Sequence, residues 1–408
     1  MRNKDNFAAD IFPALCGIIA TICGVTSIAA ESVPPNRPWM NTKLSADQRA
    51  EKLIAAMTLD EKLLLLFGYL GETFPENCAA PQPCYHPPKE ALSGSAGYIP
   101  GIARLDVPAQ WQTDASLGVA TQVLAKTKRE RTALPSGIAS AASWNPELAY
   151  AGGAMIGDEA RRSGFNVMLA GGVNLLREPR NGRNFEYAGE DPLLAGTIVG
   201  AQVSGIQSNH IVSTVKHFAL NDQETDRHFA NAVIDRAAAR TSDLFAFQIA
   251  LERSNAGAVM SSYNRLNGTY ASENAWLLND VLRRDWGFKG YVMSDWGGVH
   301  STAGAALAGL DQESGFPFDI TPYFQEPLQV AVRKGEVSEA RVTEMARRIL
   351  RSMFVQGVFD YRARAEAIDY SSHAEISRKA AEQSIVLLKN ENSILPITPS
   401  VKQICVIG

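Results

Sequence analysis

The chain has 408 residues, 46% of them hydrophobic and 20% charged, with a formal net charge of −4. A polypeptide of this length and balance can bury a large core and is globular. It has no basic surplus and no arginine-rich run with interleaved aromatics, which excludes nucleic acid as a partner.

At the N-terminus, Arg2 and Lys4 precede an apolar segment over 11–30, and Ser27, Ala29 and Ala30 supply the small residues of a cleavage site. Residues 1–30 read as a secretory signal peptide, so the mature chain is expected to be secreted or periplasmic. The competing reading is a membrane anchor. Pro13, Gly17 and Gly24 interrupt the segment and leave a run short for a bilayer span, so no stable membrane association is expected after cleavage. Cys16 and Cys23 lie inside the leader. Cys78 and Cys84, in a loop-like stretch, are candidates for a small disulfide in an oxidising compartment. Cys405, within residues 403–407, is expected to be a buried strand thiol.

Farther along, amphipathic helices alternate with short apolar strands. Ser45 opens a helix to Met57, and Thr58 with Glu61 forms a capping box for a second helix over 59–67. Asn145 and Pro146 start a helix that ends near Gly164, the expected placement of Pro and Gly at the two ends. Ser338 begins another, with Val342, Met345, Ile349 and Met353 on one face. Strands are expected over 107–113, 132–134, 167–170, 211–215, 258–262 and 290–294. This alternation implies a parallel sheet, and the expected fold class is α/β, a TIM-like (β/α)8 barrel.

The strand over 290–294 ends abruptly at Asp295 and Trp296. Barrel enzymes place reacting groups at the C-terminal tips of their strands, which makes Asp295 the first candidate for chemistry. An Asp there serves equally as the N-cap of the following turn. Other tips are also polar: Asp114 follows the strand over 107–113, Lys216 and His217 follow 211–215, and Tyr263 follows 258–262. Together they suggest one pocket equipped to grip a polyhydroxylated ligand. Lys216 and His217 are neighbours, so an ideal strand would point them to opposite faces, and both reach one ligand only if the strand ends there.

The six histidines lack metal-site spacing, so no metal is assigned. No nucleophile elbow, Walker loop or dinucleotide fingerprint is present, and no cofactor is expected. What remains is carboxylate chemistry, and glycosidic bond cleavage is the commonest reaction that needs only two carboxyl groups and a sugar-shaped pocket.

Several motifs, in order, carry a family resemblance. They are residues 182–186 with Glu190, Asp191 and Pro192; Lys216, His217 and Phe218 followed by Asn221, Gln223 and Glu224; Met260, Ser261, Ser262, Tyr263 and Asn264; and 290–296 with its Ser-Asp-Trp core. From about residue 44 onward the chain resembles glycoside hydrolase family 3, and within it the β-glucosidase type. The resemblance implies an exo-acting retaining hydrolase whose partner is a small-molecule or oligosaccharide β-glucoside, from which it removes terminal β-D-glucose. A β-xylosidase, a β-N-acetylglucosaminidase and a non-catalytic sugar-binding barrel are the alternatives.

By the same resemblance, Asp295 is the nucleophile that forms a covalent glycosyl-enzyme intermediate. Asp114, Arg183, Lys216 and His217 bind the hydroxyls of the terminal sugar, Met260 and Tyr263 line the same subsite, and Trp296 is its aromatic wall. Lys216 or Arg183 nearby is expected to hold Asp295 ionised. Quieter readings stand beside these. Asp114 can cap a turn, Arg183 can pair with Glu186 or Glu190, Glu224 and Asp226 can be supporting acids, and His228 can be a packing histidine. Asp311 and Glu313 have no assigned role.

After the signal peptide 1–30, the resemblance implies a domain order: barrel 31–375, linker 376–400, and over 401–408 the first strand of an incomplete α/β sandwich domain. In the β-glucosidase type the acid/base carboxyl comes from that second domain, roughly 5–5.5 Å from the nucleophile. The chain is therefore expected to lack its acid/base and to turn over only activated substrates. In the β-N-acetylglucosaminidase branch a histidine on a barrel loop takes this role. His228 is the residue suggestively placed for it, although its flanking 221–224 does not resemble that branch.

Overall fold

The computed structural model describes residues 37–74, 85–114, 116–121, 128–319 and 321–407. The expected signal peptide and the cysteines at 16, 23, 78 and 84 lie outside the described residues. Eight strands form one sheet: β1 (Phe67–Gly71), β2 (Ser95–Ile99), β3 (Gln110–Thr113), β4 (Val167–Met168), β5 (Val212–Phe218), β6 (Ala258–Ser261), β7 (Tyr291–Ser294) and β8 (Glu313–Phe316). Their order is β7-β6-β5-β4-β3-β2-β1-β8. A parallel bridge between Met293 and Gln312 brings the two outer strands together, so the sheet closes on itself as a TIM-like barrel.

From β3 onward the strands are parallel and alternate with helices as the sequence pattern predicts. Helices Pro146–Arg162, Pro192–Gln207, Asp243–Ser254, Trp276–Asp285 and Ala303–Ala308 each precede the next strand. The start of the barrel departs from the all-parallel expectation, because β2 runs antiparallel to both β1 and β3. Only residues 100–109 separate β2 from β3, too few for the crossover of a dozen or more residues that a parallel return requires. The strand expected over 132–134 does not form. Leu134 is buried, but its N–H goes to Leu117 O (2.7 Å) and the Thr132 N–H goes to the Glu159 carboxylate (3.0 Å), so this segment is apolar without being part of a ladder.

The capping signals act where expected. Ser45 with Gln48 and Thr58 with Glu61 form reciprocal boxes on helices Ala46–Ala56 and Leu59–Leu64. The second helix stops at Leu64, three residues before its expected end, because the chain turns into β1. Asn145 caps Pro146–Arg162, and Ser338 caps Glu339–Val355, whose Val342, Met345, Ile349 and Met353 are buried together.

At the end of the barrel where the strands begin, Asp311 is fully buried among three arginines. Its Oδ2 accepts from Arg283 Nη2 (2.6 Å) and the Val292 N–H (2.9 Å), and its Oδ1 accepts from Arg341 and Arg348 (both 3.0 Å). Burial pushes this carboxyl up, but Arg283, Arg348, Arg341 and the Val292 N–H outweigh it, and the group sits below the ordinary Asp value. Burial also pulls Arg283 down, to about 9.

The C-terminal segment departs from expectation in two ways. Helix Tyr370–Gln383 crosses the expected boundary at 375 and packs on the barrel, with His373 Nδ1 2.9 Å from the Glu159 carboxylate and Ser377 Oγ donating to Ala133 O (2.6 Å). Residues 376–383 are thus part of the barrel domain, not linker. Over 401–407 no strand forms and Cys405 is exposed, not buried, because no neighbouring strand among the described residues exchanges hydrogen bonds with this segment.

Candidate active site

Parallel strands deliver the residues that follow them to one end of a barrel, and here those ends surround a cavity of about 330 Å³. Asp114 follows β3, Lys216 and His217 lie on the last turn of β5, Met260 is on β6 with Tyr263 just beyond it, and Asp295 and Trp296 follow β7. Arg183 reaches the same cavity from the long connection after β4. The structure therefore brings all eight candidate residues to one cavity.

β5 does not end at Lys216. Its ladder to β6 shifts register between Val215 and Phe218, the Lys216–His217 peptide is cis, and both side chains line the cavity. Asn174 clamps the His217 backbone, accepting its N–H (2.8 Å) and donating to its carbonyl (3.0 Å). Lys216 Nζ lies 3.1 Å from Asp114 Oδ1, an ion pair across β3 and β5.

The protonation of His217 follows from its partners. Arg183 Nη2 lies 2.8 Å from Nε2, and a guanidinium can only donate, so Nε2 accepts and the ring proton is on Nδ1, where it faces the Tyr187 hydroxyl at 3.1 Å. Burial, then Arg183, Lys216 and Arg227, push His217 well below the usual histidine range, and it is neutral. Its 3.7 Å approach to Asp295 Oδ2 is consequently a contact, not an ion pair.

Asp295 is 6% exposed. Its Oδ1 accepts the Trp296 N–H (2.8 Å), while Oδ2 is buried without a hydrogen-bond partner. From the sequence, Lys216 or Arg183 is expected to hold this carboxyl ionised, and both do pull it down, together with the Tyr263 phenol and the Trp296 N–H; burial is the larger effect, and the carboxyl sits above the ordinary Asp value.

Arg183 lines the cavity and is anchored by Glu186 (2.5 Å), with Glu224 at 3.7 Å, the pairing that its scaffold reading expects. Glu224 accepts from Arg227 (2.7 Å) and Asn221 (3.0 Å). Asp226 is exposed. His228 packs on the Tyr263 ring, centroids 4.4 Å apart, and also lines the cavity.

Two lining residues escaped the sequence reading. The Arg227 guanidinium lies 4.2 Å from the Tyr263 ring centroid, and the Glu224 and Arg227 spacing of three residues was its only sequence signal. Phe318, in the loop after β8, lines the mouth and meets Phe74 edge-on at 5.3 Å.

Trp296 stands on a glycine. Its indole N–H donates to Ala96 O on β2 (2.9 Å), and a Cβ at Gly315 would fall 1.9 Å from the indole Cδ1, at a residue whose φ is +81°. Gly315→Ala is expected to displace the indole, break that hydrogen bond and cost about 1–3 kcal/mol of stability. Tryptophan emission and urea unfolding check this, and an unchanged spectrum with unchanged stability would contradict it.

Residues 100–352 match the glycosyl hydrolase family 3 N terminal domain. The chain is 40% identical over 310 residues to a β-glucosidase of Rhizobium radiobacter, covering 75% of this chain and 37% of that protein. It is 39% identical over 319 residues to probable β-glucosidase K of Aspergillus fumigatus, covering 76% and 40%. Among solved structures, β-glucosidase 3B of Thermotoga neapolitana in complex with glucose superposes with a TM-score of 0.75 at 33% identity, covering 86% of this chain and 48% of that one. The chain thus spans less than half the length of these relatives.

Proposed function

The chain belongs to glycosyl hydrolase family 3, and from that premise we propose that it forms the sugar-binding and nucleophile-bearing barrel of a retaining β-glucosidase. The observation that carries the reading is the placement of the buried Asp295 carboxylate, with one oxygen unpartnered, in a cavity whose other polar groups are Asp114, Arg183, Lys216 and His217. The ion-paired Lys216 and Asp114 present charged donors and acceptors, and hydrogen bonds from such groups to sugar hydroxyls are the strong kind. Trp296 and Phe318 supply apolar faces for the pyranose ring.

In this reading Asp295 Oδ2 attacks the anomeric carbon, the bond to the leaving oxygen breaks, and a covalent glycosyl ester forms that water later hydrolyses. Arg183 and Tyr263 steady the carboxylate before attack and the ester afterwards. Neutral His217, its proton directed to Tyr187, has no proton on Nε2 to give a leaving group. Among the described residues the other acid lining the cavity is Asp114, engaged with Lys216, so the proton donor to a poor leaving group is assigned to a segment beyond the described cavity walls.

A dinitrophenyl 2-deoxy-2-fluoro-β-glucoside tests this, because its leaving group departs without a proton donor while the fluorine slows hydrolysis of the ester. The expected result is one sugar per chain on the peptide that contains Asp295, read by mass spectrometry. Label on another residue, or none while glucose binds, overturns the assignment.

A further inference from the structure

Beyond the sugar-binding residues, two buried acids join the loops that wall the cavity. Glu313, the first residue of β8, is fully buried and accepts the backbone N–H groups of Tyr323 (3.1 Å) and Phe324 (2.5 Å). Asp319, 4% exposed, accepts the Val299 N–H and is hydrogen-bonded to Glu313. Counted as a carboxylate, its Oδ2 has no partner, and a proton on either acid supplies one. Among the described residues no basic side chain is ion-paired with Glu313 or Asp319. The Tyr323 phenol also faces the pair, with Glu273 of the segment Ala271–Glu273 on that phenol, and neither brings positive charge. Two ionised carboxylates cannot cheaply coexist in so dry a place, so one proton stays between them.

The pair spans two loops. Val299 belongs to the loop that begins with Asp295 and Trp296, and Phe318, Tyr323 and Phe324 belong to the loop after β8. The loops also touch directly, since a Cβ at Gly297 would lie 3.4 Å from Phe318 O and Thr302 Oγ1 donates to Tyr323 O (3.1 Å).

We propose that Glu313 and Asp319 act as a proton-sharing positioning pair, holding Trp296 and Phe318 in register across the cavity mouth, and that sugar affinity falls when the shared proton is lost. The sugar part of this rests on the β-glucosidase reading above.

Burial pushes both carboxyls up, Glu313 well above the usual range, with Asp319 adding to its rise, and Asp319 to about 7, partly offset by Glu313 and the Val299 N–H. Acids raised in the fold bind protons more tightly there than in the unfolded chain. The two carboxyls titrate in turn: Asp319 ionises near pH 7 with the Glu313 proton still between them, and that proton leaves at higher pH, so the tie holds through neutral pH and weakens in alkali.

The test measures glucose affinity by calorimetry from about pH 6 to about pH 10, together with hydrogen-exchange protection of peptides covering 296–303 and 321–325, in the native chain, Asp319→Asn and Glu313→Gln. The native chain is expected to lose affinity by about fivefold or more across this range, the lower end of ordinary coupling between two sites. Protection of both peptides should fall in parallel, and Asp319→Asn should be flat in both readouts. Equal pH slopes in the native chain and Asp319→Asn overturn the proposal. Should the native chain bind no glucose at any pH, the β-glucosidase reading fails, but exchange still decides the pair: protection lost with pH in the native chain and kept in Asp319→Asn upholds the tie, and equal behaviour refutes it. Glu313→Gln removes the same titration from the other side, so misfolding of one variant leaves a second.

Discussion

Asp295→Asn is expected to abolish release of dinitrophenol from an aryl β-glucoside, by about 10⁴-fold or more, and at the same time to raise the melting temperature at neutral pH. The first effect follows from the retaining β-glucosidase proposal, in which the substitution removes the atom that would form the glycosyl ester, since loss of a covalent nucleophile costs on that order or more. The second follows from burial. The native carboxyl is held above its ordinary value because desolvation outweighs Arg183, the Tyr263 phenol, the Trp296 N–H and Lys216. A raised acid costs the fold nothing while protonated in both states. The cost begins as pH rises past the unfolded value and is complete above the folded one.

The gain in melting temperature should therefore be absent in strong acid and largest at neutral pH, and unfolding scans at both ends measure it. Arg183 is not stranded by the substitution, because Glu186 still lies 2.5 Å from it. Turnover within tenfold of the native chain would remove Asp295 from the chemistry. A lower melting temperature at neutral pH would instead make the carboxylate a structural counter-ion of Arg183.

Why some of this was legible beforehand, and some was not, is a matter of range. An apolar run that stops at an acid is a local signal, and β7 with Asp295 lies where that signal puts it; the strand before Lys216 and the caps at Ser45, Thr58, Asn145 and Ser338 are likewise local. β1, β2 and β8 carry glycine at Gly71, Gly97 and Gly315, are short and lack an alternating pattern, so their membership in the sheet is decided by neighbours far along the chain. The segment 132–134 shows the converse, apolar enough for a strand but claimed by Glu159 and Leu117. Arg227 and Phe318 reach the cavity from loops whose course depends on tertiary packing. The charge balance at Asp295 was out of reach for a further reason: composition places cations beside it, but only the fold determines how much water is excluded.

Asp311→Asn is expected to destabilise the barrel by about 3–5 kcal/mol, the usual result of breaking a buried ion network by removing one partner. Every lone pair of this carboxylate faces a donor: Arg283 and the Val292 N–H on one oxygen, Arg341 and Arg348 on the other. An amide has to turn its NH₂ group toward one of these sides, setting donor against donor, and it leaves three guanidiniums with less negative charge among them. Urea unfolding at neutral pH measures the loss. Because the folded carboxyl lies below its ordinary value, its stabilisation is present above the unfolded value near pH 3.9 and fades as pH falls through the folded one, so the two chains should converge in acid. The network joins the strand-start ends of β7 and β8 to helix Glu339–Val355, at the opposite end of β7 from Asp295, so glucose affinity of the folded variant should match the native chain. A loss under about 1 kcal/mol would mean that desolvation of the charges cancels their attraction. A loss of glucose affinity in a fully folded variant would mean that the two ends of β7 are mechanically coupled.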